Sequence, residues 1–227
     1  MKKLLLILLC FPILIFGQQS FNFLHDGLNR DYIYYSPNNL ALDAPLVFVA
    51  HGFTQSAQGI MSFSGMNAIA DQNGFAVCYP QGTSDSWGDN FWNVGYDFHS
   101  GVTVDDVGFI VSLASYLQSA YQLSTVNTFF TGMSNGGDLC YLLACESSET
   151  FTAVAPVSGM IMQDIFNDCS STNAVSILEI HGTQDNITYF NGDANNQDGW
   201  GAYPSIPATI DFFVELYDLE IDATGNF

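Results

Sequence analysis

The stretch Val126-Asn127-Thr128-Phe129-Phe130-Thr131-Gly132-Met133-Ser134-Asn135-Gly136 decides how this chain folds. Residues 126–131 form a short apolar, β-branched and aromatic run, the pattern of a strand buried on both faces. Gly-x-Ser-x-Gly follows at once, and a helical stretch begins at Asn135. A serine at so tight a strand-to-helix turn takes a strained backbone, and glycines two residues to either side avoid the resulting clash. The hydroxyl is then lifted to the top of the sheet, where the helix N-terminus favours developing negative charge. Gly-x-Ser-x-Gly alone is a common accident. Between a strand and a helix it is specific, and it marks Ser134 as a candidate nucleophile rather than a solvated serine in a glycine-rich turn.

Outward from this point the pattern repeats. Residues 45–50, 75–79, 153–157 and 176–180 are further short apolar runs. Between them lie helical stretches. Ile110, Leu113, Ala114, Leu117 and Tyr121 recur at three- and four-residue steps, with Thr103 and Asp106 spaced as a capping pair ahead of them. Another helix stops at Asn73-Gly74, and residues 207–219 form a third, with Ile210, Phe213, Val214 and Tyr217 on one face. A hairpin, 21–24 with 32–35 around Asp26-Gly27, opens the domain. Strands alternating with helices at this spacing predict right-handed βαβ units in an open, mostly parallel sheet with helices on both faces. No internal repeat or long linker divides the chain, so residues 18–227 are read as one α/β domain. In such sheets chemistry gathers at the carboxyl ends of the strands.

Two more loops fall there. His51-Gly52-Phe53-Thr54-Gln55 follows the run 45–50 and is placed to supply one backbone N–H to an oxyanion hole, the residue after the nucleophile supplying the other. These donors are assigned to Phe53 and Asn135, with His51 holding the loop. His181-Gly182-Thr183-Gln184-Asp185 follows 176–180, and Asp185 stands where an acid orients a catalytic imidazole. The alternative for Asp185, a helix cap or turn residue, is the lesser reading. Trp92 and Trp200 are candidate substrate-binding residues, with Trp87 beside them, although core packing accounts for buried tryptophans as well. Asp193, Asn195 and Asp198 before Gly199 have the wrong spacing for an EF-hand, so a solvated loop is expected. No Cys/His spacing suggests zinc, and neither metal nor organic cofactor is implied.

The ends and the charge set the setting. Lys2 and Lys3, the apolar residues 4–16 and Gly17 read as a secretory signal peptide, residues 1–17, too short and too broken by Pro12 for a membrane span. Without it, one arginine, Arg30, faces 23 acidic residues, a formal charge of −22. Such a surface repels nucleic acid and anionic lipid. Four cysteines remain, Cys78, Cys140, Cys145 and Cys169, which allow two disulfides in three pairings, with Cys78 and Cys140 favoured as plain core residues.

Taken together, Ala50-His51-Gly52, Tyr79-Pro80-Gln81-Gly82, Asp105-Asp106-Val107-Gly108-Phe109, Gly132-Met133-Ser134-Asn135-Gly136-Gly137 and His181-Gly182-Thr183-Gln184-Asp185 resemble the secreted polyhydroxybutyrate depolymerase and feruloyl esterase group, carbohydrate esterase family one, from about Arg30 onward. The resemblance implies the α/β-hydrolase fold and serine hydrolysis of feruloyl or acetyl esters on plant polysaccharide, or of a polyester. It also implies a triad histidine well after Asp185, and none follows His181. The expectation is a chain lacking its last strand and histidine loop, and nearly inactive as it stands. Two alternatives stay open: a prolyl-oligopeptidase-like peptidase on the same fold, and a non-catalytic carbohydrate-binding fragment.

Overall fold

The computed structural model describes residues 19–171 and 173–219. The leader, and the residues after 219, lie outside them. The chain opens with β1 (Gln19–His25) and β2 (Leu28–Tyr35). Asp26 and Gly27 join them at φ 46° and 77°, the double positive φ of a type I′ hairpin turn. There follow β3 (Leu46–Ala50), α1 (Ala57–Ser64), α2 (Met66–Asn73), β4 (Ala76–Pro80), the small ribbon β5 (Thr83–Ser84) with β6 (Asn90–Phe91), and α3 (Asp106–Tyr121). The second half holds β7 (Thr128–Met133), α4 (Asn135–Glu146), β8 (Ala153–Val157), α5 (Gln163–Asp168), β9 (Ser176–Ile177) and α6 (Ile206–Leu216).

Among the described residues seven strands form one sheet, in the order β1-β2-β4-β3-β7-β8-β9. The hairpin joins β4 antiparallel, and β4, β3, β7, β8 and β9 run parallel to one another. This is the mostly parallel α/β-hydrolase sheet expected from the alternating runs. The pairing beyond β9 continues past its two residues, since Leu178 N–H donates to Val154 O (3.0 Å) and Ile180 N–H to Pro156 O (3.1 Å).

The strand side chains alternate between two cores, as the period of two demands. Phe48, Phe130 and Val154 point to a large core with α3, α4 and Phe213 of α6. Val49, Val77 and Tyr79 point to a smaller one with α1 and α2. On this second face the β7–β8–β9 half has no helix of the described residues over it. A hollow of about 560 Å³ lies there, lined by Met133, Val157, Leu178 and Ile180 among others.

One local expectation changes, the cap of α3, and the one for the cysteines holds. The α3 cap is Asp105, which accepts Gly108 N–H at 2.7 Å, not Thr103 with Asp106. Asp106 is drawn inside instead, to Arg30 at 2.5 Å, and the guanidinium also lies 4.0 Å from the Phe109 ring centre. The one arginine is therefore buried, and the surface it leaves is acidic. Of the three disulfide pairings the structure forms Cys145–Cys169, tying the end of α4 to the end of α5, and it leaves Cys78 and Cys140 as buried thiols.

Candidate active site

Ser134 stands between β7 and α4 with φ 53° and ψ −123°, a conformation that costs a non-glycine residue roughly 1–3 kcal/mol. Its neighbours leave it no alternative. A Cβ on Gly132 would lie 2.2 Å from Gly136 O, and one on Gly136 would lie 2.6 Å from Ala50 O and 2.7 Å from His51 O. Hydrogen bonds finish the restraint: Ser134 N–H donates to Val157 O (2.8 Å), and Asp138 N–H donates to Ser134 O (2.9 Å).

The Gly52 loop packs directly on this turn. A Cβ at Gly52 would be 3.3 Å from Met133 O and 3.4 Å from Ser134 Cβ. Among the described residues neither Phe53 N–H nor Asn135 N–H donates to any protein acceptor. Both are thus available to a bound oxygen, with the α4 N-terminus adding its partial positive charge. His51 fixes the loop. Its Nδ1–H donates to Gly52 O (2.8 Å), while Nε2 accepts Gly82 N–H (2.9 Å). Burial lowers its pKa to about 4, so the ring is neutral, as this donor–acceptor pattern requires. Asn135 is clamped from the other side: Trp92 N–H donates to its Oδ1 (2.7 Å) and its Nδ2 donates to Trp92 O (3.0 Å).

Asp185 lies beyond the third strand end. Its Oδ1 accepts the N–H groups of Ile187 (2.9 Å) and Thr188 (3.0 Å). Burial opposes its ionisation, but these two bonds, a Ser158 hydroxyl and nearby His181 outweigh it and hold the carboxyl below the usual carboxylate range. Ser158 N–H donates to Ile180 O (2.8 Å), and the residue before it, Val157, accepts from Ser134. One loop thus braces both Ser134 and Asp185.

None of the four histidines hydrogen-bonds Ser134 among the described residues. His51 is occupied as above. His181 is 3.8 Å from Asp185 Oδ2, yet its Nε2 faces Thr188 O (2.8 Å) and its Nδ1 faces Glu179 Oε1 (3.2 Å). Burial pulls its pKa down, and the Glu179 and Thr188 bonds outweigh that and raise it. With both ring nitrogens committed to Glu179 and Thr188, His181 offers none to Ser134. His99 pairs with Asp85 (3.1 Å), and His25 with Asp105 (3.3 Å).

The tryptophans separate. Trp92 is fully buried, and its Nε1–H donates to His51 O (2.9 Å), so it braces the 51–55 loop rather than facing a ligand. Trp200 is half-buried and packs edge-on to Phe53 at 5.8 Å. Phe98 and Tyr96 complete an aromatic wall around it, at 5.4 and 5.1 Å. Trp87 is exposed and reaches the wall through Phe98 at 6.4 Å. Sequence reasoning missed Tyr96, Phe98 and Asp138, because their partners lie tens of residues away in the chain.

Asp193 turns inward. Its Oδ2 accepts Gln197 N–H (2.6 Å) and Asp198 N–H (3.3 Å), which closes the loop on itself. His25, Asp26 and Asp105 are the one group among the described residues with metal-ligating atoms all within 4.8 Å, at the hairpin turn and the α3 cap.

A strained serine between strand and helix, two N–H groups beside it and an acid past a later strand stand together on an α/β-hydrolase fold. The chain belongs to the PHB depolymerase esterase family, whose sequence profile matches residues 30–223. It is 27% identical over 161 residues to the bifunctional acetylxylan esterase/xylanase of Neocallimastix patriciarum, covering 71% of this chain and 22% of that protein. The acetyl xylan esterase structure from Aspergillus awamori aligns at TM-score 0.55 and 25% identity, over 64% of this chain and 53% of that one. A thermostable esterase structure aligns at TM-score 0.63 and 15% identity, over 88% and 52% of the two chains. The chain spans about half or less of the length of these relatives.

Proposed function

We propose that this protein is an exported serine hydrolase of carboxylic esters, acting on acetyl or feruloyl groups carried by polysaccharide or on a polyester. The backbone of Ser134 carries the reading, because a non-glycine residue is held at φ 53° with two unoccupied N–H groups beside it. Ser134 Oγ attacks the ester carbonyl, its proton passes to a base, and the alcohol departs with that proton. Water then releases the acid from the acyl-serine. Phe53 and Asn135 N–H groups hold the oxyanion, a contribution of roughly 3 kcal/mol per donor to the barrier. Asp185 stands ready to orient an imidazole and stabilise its cation.

The aromatic wall next to Phe53 favours an aryl-bearing ester among these substrates. Export rests on the leader at residues 1–17, and no helix among the described residues is long and apolar enough to cross a membrane. The test is reaction with a fluorophosphonate followed by peptide mapping. Labelling at Ser134, abolished in Ser134→Ala, is expected; labelling at another serine sinks the reading. A panel of acetyl and feruloyl esters beside peptide amides separates an esterase from a peptidase on the same fold.

A further inference from the structure

One buried carboxylate is not used by the chemistry above. Asp138 sits one turn into α4, directly behind the nucleophile, and is 3% exposed. A carboxylate in such a place is costly unless its oxygens are bonded, and an apolar side chain of the same size is easier to accommodate. Both oxygens are bonded here. Oδ1 accepts Met160 N–H at 2.7 Å, and Oδ2 accepts the Tyr96 hydroxyl.

Each bond reaches a different part of the site. Met160 ends the Ser158-Gly159-Met160 loop, whose start braces Ser134 and Asp185. Tyr96, itself 3% exposed, is the buried member of the aromatic wall, 5.1 Å from Trp200, 5.3 Å from Phe98 and 6.5 Å from Phe53 between ring centres. Tyr96 has no covalent tie to α4, since 42 residues separate it from Asp138. The hydroxyl–carboxylate bond therefore ties the Tyr96 ring, which packs on this wall, to α4, the helix that begins next to Ser134.

We propose that Asp138 is a positioning residue which, through Tyr96, sets the aromatic wall at the distance from Ser134 that admits an aryl group. This rests on the esterase reading and deepens it, because it assigns the wall as the site for the aromatic part of a neutral ester.

Binding tests it without turnover. Methyl ferulate is titrated calorimetrically into the full chain carrying Ser134→Ala, alone and combined with Asp138→Asn, with Tyr96→Phe and with both. Circular dichroism confirms that each protein is folded at the temperature used. Each single change is expected to weaken binding roughly fivefold, the worth of one net hydrogen bond, and the pair no more than the worse single. A purely structural Asp138 lowers the melting temperature and leaves the affinity of the folded protein alone. Affinities within about twofold of the parent in folded variants overturn the proposal, as does a parent that binds no methyl ferulate. Should Asp138→Asn not fold, Tyr96→Phe decides by the same criterion, since it removes the same bond. Failure of Ser134 to react with the fluorophosphonate strikes the esterase reading instead, a result the binding data do not produce.

Discussion

The loops at 132–136 and 181–185 stand at the same end of the sheet, and both carry glycine beside a candidate catalytic side chain. They are held by different physics. Around Ser134 the restraint is steric: Gly132 and Gly136 touch backbone that no side chain could displace. Around Asp185 the restraint is hydrogen bonding, and a Cβ at Gly182 would meet nothing nearer than 3.8 Å. Ser134 is therefore shaped by exclusion before any ligand arrives. The acid shapes its own loop, so changing it alters loop and charge together.

Gly136→Ala is the sharpest way to break the first half of this contrast. Its Cβ would enter within 3.0 Å of Ala50 and His51 backbone, and relief requires moving β3 or the oxyanion loop. The expected loss exceeds about 4 kcal/mol in urea unfolding, or the chain does not fold at all. A variant of near-normal stability that still reacts at Ser134 would show that the elbow is not sterically determined.

This asymmetry also explains how much could be read beforehand. The elbow was legible because glycine has to stand where backbones touch, and that need is local. The strand runs were legible for the same reason, although β7 starts two residues late and ends at Met133, since ladder ends depend on neighbours. Trp92 misled because burial of an aromatic is decided by the tertiary packing and not by its flanking residues. Asp138 with Tyr96, and Asp106 with Arg30, left no local trace, since each pair closes across dozens of residues. The general base was expected beyond Asp185, and the four histidines confirm only that none of them reaches Ser134 among the described residues.

The two aspartates sharpen the contrast through pH. Burial pushes Asp138 up to about 7, whereas backbone N–H bonds outweigh burial at Asp185 and hold it low. A carboxyl raised in the folded state stabilises the fold fully below its unfolded value of 3.8, and that contribution is lost as pH rises through about 7. Asp138→Asn removes this slope. Relative to wild type its unfolding free energy should improve by roughly 3 kcal/mol between about pH 4.5 and 7.5, from the ~1.4 kcal/mol carried by each pKa unit. His51, lowered to about 4, has the opposite slope but is common to both proteins and cancels. Parallel pH profiles for the two proteins would mean that Asp138 stays ionised throughout.

Asp185 gives a smaller effect of a different kind. Asp185→Ala leaves the N–H groups of Ile187 and Thr188 without their acceptor, at a cost of about 1–2 kcal/mol. Asp185→Asn keeps an oxygen at that position and should recover most of the loss while removing the charge. Equal destabilisation by the two changes in urea unfolding would mean that charge, not the pair of N–H bonds, holds the loop.

Gly182→Ala is the gentlest change and tests the contrast from its other end. No left-handed φ is recorded at Gly182, unlike at Gly192 or Gly201, so alanine meets no backbone strain there. The nearest atoms to its added methyl are Asp185 N at 3.8 Å and Asp185 Cβ at 4.0 Å, both at ordinary van der Waals distance. The unfolded chain also loses conformational freedom when glycine becomes alanine, which favours the folded state by about 0.4–1 kcal/mol where the native backbone fits. Loss of solvation around the Gly182 carbonyl, which accepts Asp185 N–H at 3.0 Å, works slightly the other way. The net effect expected in urea unfolding lies between nothing and a gain of about 0.5 kcal/mol, with Ser134 labelling unchanged. The same substitution at Gly136 is expected to be ruinous, although both glycines stand in loops that leave the sheet at its carboxyl end. A loss of more than about 1 kcal/mol at Gly182 would mean that the acid loop is as tightly packed as the elbow, and that hydrogen bonding alone does not account for how Asp185 is held.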